Sequence, residues 1–183
     1  MLYAPGTFSG EYRPVGDPLE ADLISVHEFG IQTDGEPGAA NRALAEFVLD
    51  VLDERPELQI VGTQSVARAV QEASDGTLSV HHKIEGQSVN ALGGGLGTWG
   101  ELQKVRQVME AQGLYKPLLV GQAYHIGRIS LQAVQAGIPD FVVPPNLPRL
   151  FAPESAQPWT RNRYLWAARE LLGAPVLSRQ GRL

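Results

Sequence analysis

Pro117-Leu118-Leu119-Val120-Gly121-Gln122-Ala123-Tyr124-His125-Ile126-Gly127-Arg128-Ile129-Ser130-Leu131-Gln132-Ala133 is the stretch that decides the fold. The apolar run Leu118-Leu119-Val120 is too short for a helix and ends at Gly121. Beyond it, Ile126, Ile129 and Ala133 share one helical stripe. The change of period across a glycine predicts a buried parallel strand that turns sharply into a helix. In open α/β sheets, ligands sit beyond the carboxyl ends of the strands, against helix N-termini. Gln122, Tyr124, His125 and Arg128 collect in this turn, which makes it the expected centre of a site.

Strand and helix signals alternate on either side of it. Strands are expected over residues 22–27, 58–61, 77–84 and 140–143, the last stopped by Pro144-Pro145. One helix starts at Ala39, with Ala40, Leu44, Phe47, Val48, Val51 and Leu52 at helical spacing, and leaves at Pro56. Others are expected over 64–73, over 98–112 with Gly113 behind it, and from about Thr160 to Leu172. Five strands in a βαβ series predict a three-layer αβα, Rossmann-like fold. The sheet is expected to be mainly parallel in the order 3-2-1-4-5, with a crevice between strands one and four. Residues 1–21, broken by Pro5, Gly6, Gly10, Pro14, Gly16 and Pro18, read as an irregular lead-in to one domain over 22–183.

Composition excludes several classes. The 183 residues suffice for one real core, and 43% hydrophobic with 19% charged residues is ordinary for a globular chain. A net charge of −5 argues against a general nucleic-acid binder. The absence of cysteine removes disulfides, thiolate metal sites and a cysteine nucleophile. No apolar stretch has the length of a membrane span, and the N-terminus lacks the pattern of a signal peptide, so a cytoplasmic protein is expected.

Three segments resemble the YdcF/SanA/ElyC-like family of bacterial proteins, a domain of unknown function. Tyr124-His125-Ile126-Gly127-Arg128 is similar to the family's Tyr-His-Met-x-Arg turn. Asp34-Gly35-Glu36-Pro37 with Arg42 resembles its first loop and helix-borne arginine. Ser88-Val89-Asn90 with Thr98 resembles its Ser-x-Asn-Thr segment, here interrupted by a glycine tract. The resemblance covers residues 22–172. It implies a Rossmann-like domain, a link to envelope biology and S-adenosylmethionine as one conceivable ligand. Arg42, Ser88, Asn90, Thr98, Tyr124 and Arg128 are then its candidate ligand-binding residues, and Gln122 joins them by its place in the crevice.

The residues can be read without the family. His125 and Arg128 lie three apart and share a helix face. In a first turn, that face and the free backbone N–H groups can hold one anion, with His125 available as a general acid or base. The alternative is a hydrogen-bonded histidine beside a surface ion pair. Arg128 is expected to be mostly exposed, so that its removal leaves the fold intact. Gly95-Leu96-Gly97-Thr98-Trp99-Gly100 matches G-x-G-x-x-G but follows no strand directly, and Thr98-x-x-Glu101 reads as a capping box. Gly95, Gly97 and Thr98 are either ligand contacts or a flexible loop entering a helix.

His27-Glu28 ends the first strand, as an acid–base pair, as a pair of metal ligands, or with one member buried and hydrogen-bonded. Arg42 sits where a helix dipole opposes it, which calls for Glu36 or an anion as partner. Gln64 and Ser65 open the second helix and can line the crevice; the alternative is a plain N-cap role for Thr63 or Ser65. Trp166 reads as core, and Arg161 and Arg163 as surface. No transition metal is expected, though Glu28 and Asp34 can hold Mg²⁺ around a phosphate. The expected function is binding of a small anionic or nucleotide-like ligand, as a transferase or binding protein. The alternatives are a phosphate-ester hydrolase using His125 and Glu28, and a non-catalytic sensing or interaction protein.

Overall fold

The computed structural model describes residues 9–32, 36–84 and 97–170. Four parallel strands, β1 (Leu23–Val26), β2 (Gln59–Thr63), β3 (His82–Ile84) and β4 (Pro117–Val120), form one sheet in the order β3-β2-β1-β4. Ile24 sits between Ile60 and Leu118 in register. Every residue of β1 and β4 is buried, as expected of strands covered on both faces, which read as continuous apolar runs.

The cover is helical. Four helices are α1 (Ala39–Glu54), α2 (Gln64–Ala73), α3 (Gly97–Gln112) and α4 (Ala123–Gln135). Helices α1 and α2 pack together, as do α3 and α4, so the sheet is flanked by two helical layers. Leu44 and Val48 of α1, Leu102 and Val105 of α3, and Ile126 and Ile129 of α4 bury the stripes that their spacing predicts. Gly113, with φ +68, ends α3 in the left-handed conformation that glycine adopts at no steric cost.

The sheet has four strands rather than the expected five. Residues 140–143 lie beside β4, where a fifth strand belongs, but make a single parallel bridge from Val142 to Leu118. Val143 then pairs antiparallel with Val15 of the N-terminal segment. Pro144 and Pro145 have no N–H to extend the ladder. The Tyr12 hydroxyl donates to the Pro144 carbonyl at 3.0 Å and accepts from the Leu147 amide at 2.7 Å, which closes this edge.

β3 is shorter than expected over 77–84. Asp75 and Gly76 have positive φ, and Ser74 bonds Thr77 and Leu78, so the chain turns before it pairs. The last described helix, α5 (residues 163–170), starts later than Thr160 because Asn162 caps it: the Asn162 Oδ1 accepts from the amides of Tyr164 and Leu165, each at 3.0 Å. Among the described residues no helix is long and apolar enough to cross a membrane.

A second, smaller apolar cluster sits at the carboxyl edge of the sheet. Phe29, Ala40, Ala152 and Trp166 form it, with Tyr124, Phe151 and Trp159 against it. Gly30, φ +81, brings the loop after β1 under the 152–160 loop: a Cβ there would lie 2.8 Å from that of Ala152. This cluster roofs the turn between β4 and α4.

Candidate functional site

Adjacent strands β1 and β4 end together, the His27 amide donating to the Val120 carbonyl at 2.8 Å. His27 leaves β1 there, Gly121-Gln122 leads from β4 into α4, and α3 begins against both. Two side-chain contacts join these elements. Glu101 Oε2 lies 3.0 Å from His27 Nδ1, and Thr98 Oγ1 lies 3.1 Å from His125 Nε2. The end of β1, the first turns of α3 and the turn from β4 into α4 therefore meet at the carboxyl edge of the sheet.

The first contact belongs to a buried chain, Ser25–His27–Glu101, 0%, 1% and 5% exposed. Ser25 and His27 are two apart on a strand and face the same side. With Glu101 ionised, His27 Nδ1 donates to it, and Nε2, 3.0 Å from Ser25 Oγ, accepts. The order is that of a serine relay. Ser25, however, lies inside β1 with no exposure, where no substrate carbon reaches it. The chain satisfies a buried carboxylate. Glu28 points to the other side of β1 and accepts from Thr63 Oγ1 at 2.8 Å, so His27 and Glu28 do not meet at one atom. The expected capping box is corrected as well: helix α3 begins at Gly97, and both Thr98 and Glu101 turn away to histidines.

The second chain runs from Thr98 through His125 and Arg128 to Glu170. His125 is the third residue of α4 and 4% exposed. Arg128 Nη2 lies 2.9 Å from His125 Nε2. Because arginine only donates, Nε2 accepts and the imidazole proton is assigned to Nδ1. Burial holds the His125 pKa well below the usual histidine range, and the charges of Arg128 and Arg169 add to the effect. Near neutral pH, His125 is an uncharged ring.

Arg128 is not the exposed residue the sequence predicts. Its side chain is 8% exposed, and its Nη1 donates to Glu170 Oε1 at 2.6 Å. Glu170 is 1% exposed at its side chain and also accepts from Arg169 at 2.9 Å. The Arg128 guanidinium lies 4.9 Å from the Trp166 ring centre, within cation–π range. Trp166 stands edge-on to His125 at 5.3 Å, and Phe29 is 5.0 Å from Trp166.

Three buried N–H groups of this cluster have no hydrogen-bond partner among the described residues: His125 Nδ1, Arg128 Nε and Trp166 Nε1. Gln132, one helical turn from Arg128, has an Oε1 likewise unpartnered among them, so a rotamer change can serve the arginine. His125 Nδ1 and Trp166 Nε1 are left as donors that need an acceptor from elsewhere. The chain's charge is distributed in the same sense. Seven of the fifteen basic residues, but three of the twenty acids, lie in residues 128–183.

Other candidates sit apart from this cluster. Gln122, fully buried, donates to the Ala40 carbonyl and accepts from the Leu150 amide, both at 2.8 Å, and so clamps the roof to α1. Tyr124 packs on Phe151 at 4.5 Å and against Gly10. Arg42 is half-exposed and pairs with Glu72 at 3.4 Å rather than with Glu36, which Arg68 takes. Gln64 is exposed and lines a separate cavity of about 270 Å³ with Arg68 and Lys83. Gly97 opens α3 with φ +55. Asp34, Ser88, Asn90 and Gly95 lie outside the described residues. Among the described residues no three His, Asp or Glu side chains are grouped to hold a metal ion.

No protein-family model, curated protein or solved structure matches this chain.

Asn41, Glu101 and Glu170 matter more than their sequence context announces. Asn41 accepts from the Phe29 amide and donates to the Gly30 carbonyl and Ser65 Oγ, which fixes the loop after β1. A signal existed for two of them. Asn41 lies beside Ala40 and Leu44 on an apolar stripe, and Glu101 lies beside Leu102 and Val105 on another. A polar residue on a buried stripe needs a partner. Chemically, the cluster presents N–H donors and guanidinium charge around an uncharged imidazole. That suits an oxyanion or a carbonyl acceptor.

Proposed function

We propose that this chain is a cytoplasmic Rossmann-like protein that binds a small anionic or nucleotide-like ligand at the carboxyl edge of its sheet. The observation that carries the reading is the buried Nδ1 donor of His125, unpartnered among the described residues, in the first turn of α4 beside Arg128 and Trp166. A helix N-terminus, a guanidinium and spare donors all favour negative charge. The resemblance of Tyr124 to Arg128 to the YdcF/SanA/ElyC-like turn supports the same place. It makes S-adenosylmethionine a candidate, its carboxylate meeting Arg128, and a transferase one form of the function. The hydrolase alternative requires His125 and Glu28 at one substrate. Glu28 instead bonds Thr63 over the end of β2. A sensing protein would use the same site without turnover.

The test is a thermal-shift panel of nucleotides, S-adenosylmethionine and phosphosugars. A native-state ligand at 100 times its Kd adds about 2.7 kcal/mol of stability. One member of the panel is expected to raise the melting temperature, and His125→Phe, which removes both ring nitrogens, is expected to abolish the rise. A rise that survives this substitution places the ligand elsewhere. No rise from any member at millimolar concentration overturns the reading.

A further inference from the structure

Helix α5 supplies one side chain of the roof, Trp166, and a carboxylate beneath it, Glu170. Of its eight described residues only Trp166 and Glu170 are buried, while Arg163, Tyr164 and Leu165 face solvent. Among the described residues of the helix, these two side chains are the ones sunk into the domain. Trp166 enters the apolar cluster beside Phe29. Glu170 takes Nη1 of Arg128, whose Nη2 is engaged by His125 Nε2 and whose face lies over Trp166. An incoming oxyanion needs one edge of that guanidinium. The Nη1 edge already carries a carboxylate oxygen at 2.6 Å, with the Arg169 guanidinium on the same oxygen at 2.9 Å. Two cations around one oxyanion is the arrangement a bound phosphate or carboxylate would adopt.

We propose that Glu170 is a built-in competitor: its carboxylate holds the place on Arg128 that an oxyanion ligand takes, and binding of that ligand displaces α5. The inference rests on the anion-binding reading above and adds its regulation. It assigns three roles on α5. Glu170 is the competitor, Arg169 moves with it, and Trp166 reports on the exchange because it stacks on the contested guanidinium. The ligand is then an oxyanion small enough to enter where a side-chain carboxylate sat, a phosphate or a carboxylate group.

Isothermal titration with inorganic phosphate and with acetate, on the whole chain and on Glu170→Gln, separates the possibilities. At least one anion is expected to bind the whole chain weakly. Glu170→Gln should bind it about tenfold more tightly or better, as removal of a competitor that fills the place at least nine times in ten requires. Phosphate binding alone identifies a phosphate site, and acetate binding a carboxylate site. In parallel, hydrogen exchange of the 163–170 amides in the unaltered chain should speed up on anion addition, a measurement that stands even if Glu170→Gln fails to fold. An anion that binds both proteins equally, or that leaves or slows this exchange, overturns the competitor while keeping a ligand site. If neither anion binds either protein, the anion-binding reading and the competitor fall together.

Discussion

Arg128 donates to Glu170 at 2.6 Å, and both side chains are withdrawn from water, 8% and 1% exposed. The pair joins α4 to α5 across 42 residues of sequence. Removing one partner of such a pair leaves the other charge buried, which costs about 3–5 kcal/mol, whereas replacing both by apolar groups of similar volume is often neutral. Arg128→Ala is therefore expected to lower unfolding free energy by about 3–5 kcal/mol. The double change Arg128→Met with Glu170→Leu should recover most of it. Urea unfolding of the three proteins checks this. A loss below about 1 kcal/mol, the range of an exposed pair, would mean that the pair opens to solvent.

His125 makes stability depend on pH in a definite direction. Its pKa in the folded chain lies well below that of an unfolded histidine, first through burial and then through Arg128. Below about pH 6.5 the unfolded chain takes up a proton that the folded chain refuses, so stability falls as pH falls. Above that value the residue contributes no slope. The expected excess slope over His125→Gln is at most about 1.4 kcal/mol per pH unit, beginning near pH 6.5. Denaturant unfolding of both proteins from pH 8 to pH 5 measures it. Parallel pH profiles, or nitrogen shifts showing a doubly protonated ring at pH 6, would contradict the neutral tautomer.

The Ser25–His27–Glu101 chain makes a different prediction, because a carboxylate is not required there. A glutamine side chain in place of Glu101 still offers a carbonyl to His27 Nδ1, so Glu101→Gln should cost no more than about 1 kcal/mol. Glu101→Ala strands a buried donor and should cost about 1–3 kcal/mol. A double-mutant cycle with His27→Ala is expected to give a coupling of at least about 0.5 kcal/mol. Additive effects would show that Glu101 acts at its own helix end and not through His27.

These polar networks were the least legible part of the chain. The α2 boundaries and the turn from Val120 into α4 follow from apolar period and glycine alone, because both are local. The carboxylate partners of His27 and Arg128 are 74 and 42 residues away, and nothing near either residue names them. Arg128 looked exposed because helical spacing gives a residue its face without saying what docks there. The fifth strand failed for a related reason: residues 140–143 have strand composition, but pairing stops where Pro144 follows and Val15 takes the outer side. His27 was the favourable case. Alternation along a strand predicts that neighbours part company, and His27 turns inward while Glu28 turns to Thr63.

The turn itself depends on one missing methyl group. A Cβ on Gly121 would lie 2.5 Å from Ile129 Cδ1, and Ile129 is fully buried in the core between α4 and the sheet. Ile129 cannot move outward without disturbing packed neighbours, so Gly121→Ala should cost about 1–3 kcal/mol, the usual range for overpacking. Ile129→Val removes the clashing atom and alone should cost about 0.5–1.5 kcal/mol. The two changes together should then be more stable than Gly121→Ala alone, because each relieves what the other lacks: the alanine methyl occupies space that the shortened side chain vacates. Thermal and urea unfolding of the four proteins in this cycle measure the relief. If the double variant is the sum of the singles or worse, the close approach of α4 to the end of β4 is not what requires glycine at 121.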